Sequence, residues 1–244
     1  MESDPGVSDS EMDIKVFLEK SVEGYLFADL DSMAKFNVKG NGNCNYPMVM
    51  TVLFGIELLG TLTYPKCLGF EESNSGESCE GEAAPEVGNP QFTWYWKHFL
   101  TPANPGRYKV KGNIGELIRS LVRNGLAHAF LIKPGIEVRK FDPESHMKSS
   151  ARSQLIIDST EFAKDLKRSY WDYIRPIIDG KPAIIKGHTT SLQTMQDRLI
   201  ELASSYVRDA QKSFGDLKGE IPPVPATQGP DISASFNFPP PGTV

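Results

Sequence analysis

The chain reads as a mainly α-helical protein on three observations. Apolar residues recur at three- and four-residue steps through most of its 244 residues. Proline and glycine clusters cut these runs into helix-length pieces. Only two short runs, Ile136-Glu137-Val138-Arg139 and Gln154-Leu155-Ile156-Ile157, have strand character. The pattern predicts a helical bundle with one short β-hairpin and an extra C-terminal helix.

Residues 1–11 are acidic and polar and are expected to be disordered. From residue 12 to 36, Ile14, Phe17, Leu18, Tyr25, Leu26, Leu30 and Met33 fall on one helical stripe. Gly40-Asn41-Gly42-Asn43 is a loop. Pro47 suits the first turn of a second helix that Tyr64-Pro65 closes. Its run, residues 46–62, is nearly all apolar but carries Glu57 and is slightly short for a bilayer span, which favours a buried core helix over a membrane segment. Residues 67–89, rich in Gly, Ser and Glu, read as a flexible acidic insert.

A third helix fits 89–100, dense in large rings (Phe92, Trp94, Tyr95, Trp96, Phe99), before the break Thr101-Pro102-Ala103-Asn104-Pro105-Gly106. Residues 113–130 form a fourth, with Ile114, Leu117, Ile118, Leu121, Val122 and Leu126 on its apolar stripe, and Lys133-Pro134-Gly135 stops it. The hairpin occupies 134–158. Asp158 or Ser159 caps a fifth helix over 160–178, with Phe162, Leu166, Tyr170, Tyr173 and Ile174 on one face. The bundle thus spans 12–180. Residues 181–218 hold a last helix, about 191–213, whose seam of Leu192, Met195, Leu199, Leu202 and Tyr206 either docks on its own domain or forms a dimer contact. The tail, 219–244, is proline-rich and expected to be disordered or a peptide ligand.

Composition is that of an ordinary soluble protein: 39% hydrophobic and 23% charged residues give enough apolar surface for a core. Three cysteines with no CxxC spacing argue against a disulfide framework or structural zinc and point to a reducing, cytoplasmic setting, with no secretory signal at the N-terminus. The net charge of −5 disfavours indiscriminate nucleic-acid binding. Its distribution is uneven, however. Between Lys97 and Lys140 nine basic residues meet two acidic ones, so this segment is +7 and the rest −12. A locally basic face on an acidic protein suits a limited phosphate site.

One hexapeptide carries chemistry: Arg123-Asn124-Gly125-Leu126-Ala127-His128, inside the predicted fourth helix. Cleavage of RNA by its own 2′-hydroxyl needs a base for that proton, an acid for the departing 5′ oxygen and cations to hold the phosphorane. Histidine suits the first two because both of its protonation states are populated near neutrality. Arginine suits the third, since its planar fork matches phosphate oxygens and does not titrate. Asn124 lies four residues before His128 and shares its helix face, whereas Arg123 sits about 140° away and must swing round. Gly125 loosens the helix there at a cost of about 1 kcal/mol relative to alanine. Arg119, Lys109, Lys111 and Lys133 extend the cationic surround as RNA-binding candidates. Each copy supplies one histidine where acid and base are both needed, which predicts a homodimer with a composite cleft.

This motif, placed after the apolar run FGIELLG, resembles the R-x(4–6)-H signature of the HEPN superfamily, and LVRNGLAHAFLIKPGIEV resembles bacterial HEPN-like proteins with a hairpin after the motif helix. The resemblance covers residues 12–178. It implies an all-α bundle, dimerisation and metal-independent ribonuclease activity, often in toxin–antitoxin or antiphage systems, with an antitoxin or regulatory protein as partner. Arg123, Asn124 and His128 match the catalytic positions. Glu57 is added from its burial in an apolar run, as a carboxylate that orients Arg123 or His128. Some HEPN proteins only bind, so a non-catalytic RNA-, nucleotide- or protein-binding module is the alternative. A third reading is an interaction protein working through its tail and last helix.

Other chemistries find no support. His98, His146 and His188 lack neighbours at metal-ligand spacing, and no metal or cofactor is expected. His98, beside the aromatic cluster, reads as packed. No GxxxxGK[ST] or GxGxxG occurs. Cys44, Cys67 and Cys79 are poor nucleophile candidates, and Cys79 sits in acidic sequence that raises a thiol pKa.

Overall fold

The computed structural model describes residues 13–36, 44–65, 89–108, 118, 135–185 and 188–217. Helix accounts for 73% of the described residues and strand for 10%, so the mainly-α expectation holds. The predicted terminal segments 1–11 and 219–244 and nearly all of the 67–89 insert lie outside the described residues. So do the residues of the predicted fourth helix, 113–130, Ile118 excepted. The chain divides into two units, 1–205 and 206–244.

The first helix, α1, runs without a break through Ile14–Phe17, Leu18–Phe27 and Ala28–Lys35. Asp13 caps it by accepting from the amides of Lys15 and Val16 at 2.7 and 3.1 Å. Over Leu18–Phe27 its hydrogen bonds widen to i→i+5. The buried stripe is Ile14, Leu18, Val22, Phe27 and Leu30, so one step between buried residues is five instead of four. That extra residue per turn corrects the sequence reading. Tyr25, assigned to the apolar stripe by a 3.6-residue period, is 66% exposed, and Phe27 takes the inward place.

Helix α2, Asn45–Thr63, is the core of the bundle. Val52, Leu53, Ile56 and Leu59 are fully buried, each removal from water contributing roughly 1.5–3 kcal/mol. Its length and hydropathy would suffice to cross a membrane, but 67% of that window is buried inside the protein, where the helix packs on the helical segments 89–95 and 159–169. Thr61 and Thr63 tuck their hydroxyls back onto the carbonyls of Glu57 and Leu59, which lets polar residues sit in a dry helix. Tyr64 ends the helix at the predicted place, its amide reaching Gly60 O at 2.9 Å.

Helix α3 runs through Asn89–Tyr95, the wide-turn stretch Trp96–Leu100 and Thr101–Ala103, three residues beyond the sequence estimate. It lies so close to α2 that a Cβ on Gly60 would come within 2.2 Å of Gln91 O. Asn104 interrupts it, and Pro105–Tyr108 form one further helical turn. Ile118, the described residue within the predicted fourth helix, is helical and fully buried.

Strands β1 (Ile136–Arg139) and β2 (Leu155–Asp158) occur where the sequence puts them, but they pair in parallel, Ile136 opposite Leu155 through Arg139 opposite Asp158. The expected hairpin between them is therefore corrected. The antiparallel turn lies inside the connection instead. Met147 N bonds Ile156 O, Ile156 N bonds Lys148 O and Ser150 N bonds Gln154 O, so residues 147–150 line the other edge of β2. A second pair, β3 (Ala183–Ile185) and β4 (His188–Thr190), is antiparallel and has no counterpart in the sequence reading.

Helix α4 comprises Ser159–Ser169, Tyr170–Ile174 and Arg175–Ile178, and Asp158 caps it as expected, accepting from Glu161 N at 2.8 Å. The last helix, α5, is Leu192–Leu217. Met195, Leu199 and Leu202 of its seam are buried. Met195 and Leu199 join the main core, which is the docking alternative of the sequence reading.

Candidate functional site

The best-defined polar constellation is assembled from four elements. Pro105 restarts the helix after Asn104, and one turn later Arg107 and Tyr108 face α4. On α4, Glu161 and Asp165 are four residues apart and so share a face. The Arg107 guanidinium bridges them. One terminal nitrogen contacts both Asp165 oxygens at 2.9 and 2.8 Å, and the other meets Glu161 Oε2 at 2.8 Å. Lys164 takes the remaining Glu161 oxygen at 2.7 Å. Beside them Arg168 donates to Asn104 Oδ1 at 2.9 Å, tying the interruption in α3 to the same helix face.

Beneath the guanidinium runs a directional chain. The Asp158 amide donates to His146 Nδ1 at 3.0 Å, so the proton of the neutral ring sits on Nε2. From there it is donated to Tyr108 Oη, also 3.0 Å away. Tyr108 in turn donates to Asp165 Oδ2 at 2.9 Å. Phe162 and Trp96 pack their rings against Tyr108, and Phe162 also flanks His146, excluding water.

Electrostatics follow from this burial. His146, its side chain wholly inaccessible, has its pKa pushed down to about 3, first by burial and then by the Arg107 charge. Its 3.6 Å approach to Asp165 is therefore a contact of a neutral ring. Burial holds the Asp165 carboxyl above the usual carboxylate range, although Arg107 and Tyr108 pull the other way. Partial burial also pushes Glu161 up, but hydrogen bonds from Lys164 and Arg107 leave it lowered. Tyr108 is raised well above an ordinary phenol, chiefly by burial and then by the Asp165 charge.

The segment bearing His146 is held in unusual backbone geometry. Phe141 and Met147 have φ of 61° and 59°, the left-handed region that bulky residues avoid by about 1–2 kcal/mol each. Asp158 secures the loop between them, its Oδ2 accepting from Asp142 N at 2.7 Å. Arg139 adds ion pairs to Glu137 and Asp142 at 2.8 and 2.7 Å. Lys140 reaches across to the carbonyls of Met33 and Phe36 at the C-terminal end of α1.

Chemically this is a joint and not a reaction centre. His146 is neutral, sealed and engaged at both nitrogens, so it meets no solvent-borne substrate. What the joint controls is Tyr108, the residue directly before Lys109. Gly135, directly after Pro134, accepts from Leu155 N at 2.8 Å and leads into β1. Both chain ends that flank the hexapeptide segment are thereby tied to one buried platform, α4 and β2.

Of the residues singled out in the sequence, Glu57 is 2% exposed on α2 and engaged in an interaction. Arg123, Asn124, His128, Arg119, Lys109, Lys111 and Lys133 lie outside the described residues. The sequence reading missed Arg107, Tyr108, Glu161 and Asp165 altogether. It weighed His146 only as a metal ligand, where the structure gives it Tyr108 and Asp158 as partners. The available signal was Glu161 and Asp165 at i,i+4 on an otherwise apolar face, but nothing in a sequence links them to residues more than fifty positions away. Among the described residues no three His, Cys, Asp or Glu side chains are grouped to hold a metal ion.

No family model, no curated protein and no solved structure matches this chain.

Proposed function

We propose that the protein is a metal-independent endoribonuclease of the cytoplasm, HEPN-like in its chemistry and working as a homodimer. The observation that carries this reading is the Arg123-Asn124-x3-His128 arrangement in the most basic stretch of an otherwise acidic chain. The mainly helical frame supports it, as does Ile118, helical and buried as the apolar stripe of the motif helix requires. In this scheme His128 of one copy takes the 2′ proton, and the new 2′-oxygen bond to phosphorus forms as the bond to the 5′ oxygen breaks. A protonated His128 of the second copy donates to that leaving oxygen. Arg123 holds the phosphorane charge, Asn124 orients the histidine, and Arg119, Lys109, Lys111 and Lys133 bind the flanking phosphates. Glu57, a carboxylate kept in an apolar core, orients Arg123 or His128 from α2.

The products are a 2′,3′-cyclic phosphate and a 5′-hydroxyl. Purified protein incubated with RNA in EDTA should release fragments with those ends, and His128→Ala should abolish release. Cleavage that survives His128→Ala refutes the assignment. RNA binding without turnover, weakened by Arg123→Ala but not by His128→Ala, identifies a binding module instead. Growth arrest on expression, relieved by His128→Ala, tests a toxin or defence role.

A further inference from the structure

The parallel pairing of β1 with β2 leaves one strand edge open. Leu155 N bonds Gly135 O at 2.8 Å, so the backbone groups of Gly135, Glu137 and Arg139 point inward to β2. Those of Ile136 and Val138, which alternate with them, point to the outer edge of β1. Residues 147–150 line the far side of β2, and among the described residues nothing bonds that outer edge. Sheet edges are commonly blunted by proline, lysine or an inward-pointing charge. Here the two outward amides belong to Ile136 and Val138, apolar strand formers whose side chains pack on the core. The charged side chains of Glu137 and Arg139 share the opposite face, ion-paired at 2.8 Å and each about a third exposed.

The geometry points to a second copy of this chain as the occupant of that edge, its β1 running antiparallel across a two-fold axis at Val138. In this register Val138 and Val138 of the second copy exchange backbone N–H and C=O. Glu137 then falls opposite Arg139 of the second copy, and Arg139 opposite its Glu137. These are non-hydrogen-bonded positions, where facing side chains approach most closely, so each contact gains a pair of cross-strand ion pairs. Moving the axis to Glu137 sets that residue against its own copy, like charge on like, so the charge pattern selects the axis at Val138. The strand is bounded by two left-handed residues, Gly135 at φ 104° and Phe141 at 61°. The same register sets them opposite each other, an exposed ring beside a glycine with open space around it. This gives the homodimer of the ribonuclease reading a surface, and it rests on that reading for dimerisation alone, not for cleavage.

Sedimentation velocity of the full chain over a range of concentrations measures the dimer constant. Glu137→Arg sets arginine against Arg139 of the second copy on both sides of the axis and should weaken the dimer about tenfold. Arg139→Glu should do the same with glutamates. Mixed in equal amounts, these two variants offer a cationic strand to an anionic one and should pair to within about threefold of the parent. Within each variant chain the two charges still repel, so an ion pair with a purely internal role predicts no such rescue. Val138→Pro removes the central outward donor, spares the bonds of Glu137 and Arg139 to β2, and should weaken the dimer at least about tenfold. Thermal midpoints show which variants are folded. Glu137→Arg keeps the Arg139–Asp142 pair at 2.7 Å and decides alone if the others unfold. A dimer that Glu137→Arg leaves as tight as the parent overturns this surface and leaves the homodimer standing, as does a mixture that stays monomeric. A parent that is monomeric at its highest soluble concentration overturns both, and leaves the edge to a strand of another protein. Loss of RNA cleavage alone bears only on the ribonuclease reading.

Discussion

Replacing Asp165 by asparagine tests whether the joint is one unit or a set of separate contacts. The carboxylate accepts from Arg107 at both oxygens and from Tyr108 at Oδ2. An asparagine oriented to keep the Oδ2 bonds turns its NH2 toward Arg107, setting donor against donor. Losing a charge-assisted bond costs about 1.5–3 kcal/mol. Arg107 is a third exposed and keeps Glu161 at 2.8 Å, so the low end, about 1.5 kcal/mol, applies. The donor conflict in a buried site adds roughly another 1–2 kcal/mol, for a total near 3 kcal/mol. Tyr108→Phe leaves His146 Nε2–H without its acceptor and should cost about 2 kcal/mol. Because both changes strike one chain of bonds, the double variant should lose at least about 1 kcal/mol less than the sum. Urea unfolding of the four proteins gives these values, provided the slope with denaturant is unchanged. Losses that add to within about 0.5 kcal/mol would refute the argument, since independent sites behave that way.

Acid should weaken the fold through His146. Its folded pKa of about 3 lies below the ordinary 6.5, so the unfolded chain binds the extra proton between these values. Stability present above pH 6.5 is lost as pH falls toward 3, by up to about 1.4 kcal/mol per unit, and His146→Gln should flatten that slope in pH-dependent urea midpoints. Asp165, raised by burial, works in the opposite sense at the acid end. Gly60→Ala should be far worse than Gly55→Ala in thermal unfolding. The first new methyl meets the Gln91 backbone at 2.2 Å, while the second meets the movable ends of Leu166 and Leu26 at 2.9 and 3.0 Å. Equal midpoints would contradict the close approach of α2 and α3. Asp158→Ala removes a helix cap and the anchor of Asp142, and should lower stability by about 2–3 kcal/mol in the same assay.

The helices were legible because their signals are local. Asp158 announces a helix start by residue type, Tyr64-Pro65 announces an end, and the apolar period of α2 needs no partner to be read. Tyr25 shows where a local rule fails: a sequence read at 3.6 residues per turn does not reveal a stretch that winds more slowly. The pairing sense of β1 and β2 was equally hidden. Four-residue strands carry no mark of parallel or antiparallel neighbours, and the turn at 150–154 belongs to a partner that the pattern does not distinguish from β1. The polar joint was least visible of all, because Arg107, His146 and Asp165 acquire meaning only when three separate elements meet. Hydrogen bonds across more than fifty residues leave no periodicity behind.

The far end of the bundle shows how the fold is closed. The amide of Ile14 donates to Gln196, while the last carbonyl of α2, on Thr63, accepts from Thr190 and that of its capping residue Tyr64 accepts from Arg198, whose guanidinium is nearly buried. Two early helices thus depend for their last polar partners on residues made more than 125 positions later. During synthesis neither can be completed until residues 190–198 have left the ribosome, and a product truncated before residue 190 would expose orphaned ends to water and to proteases.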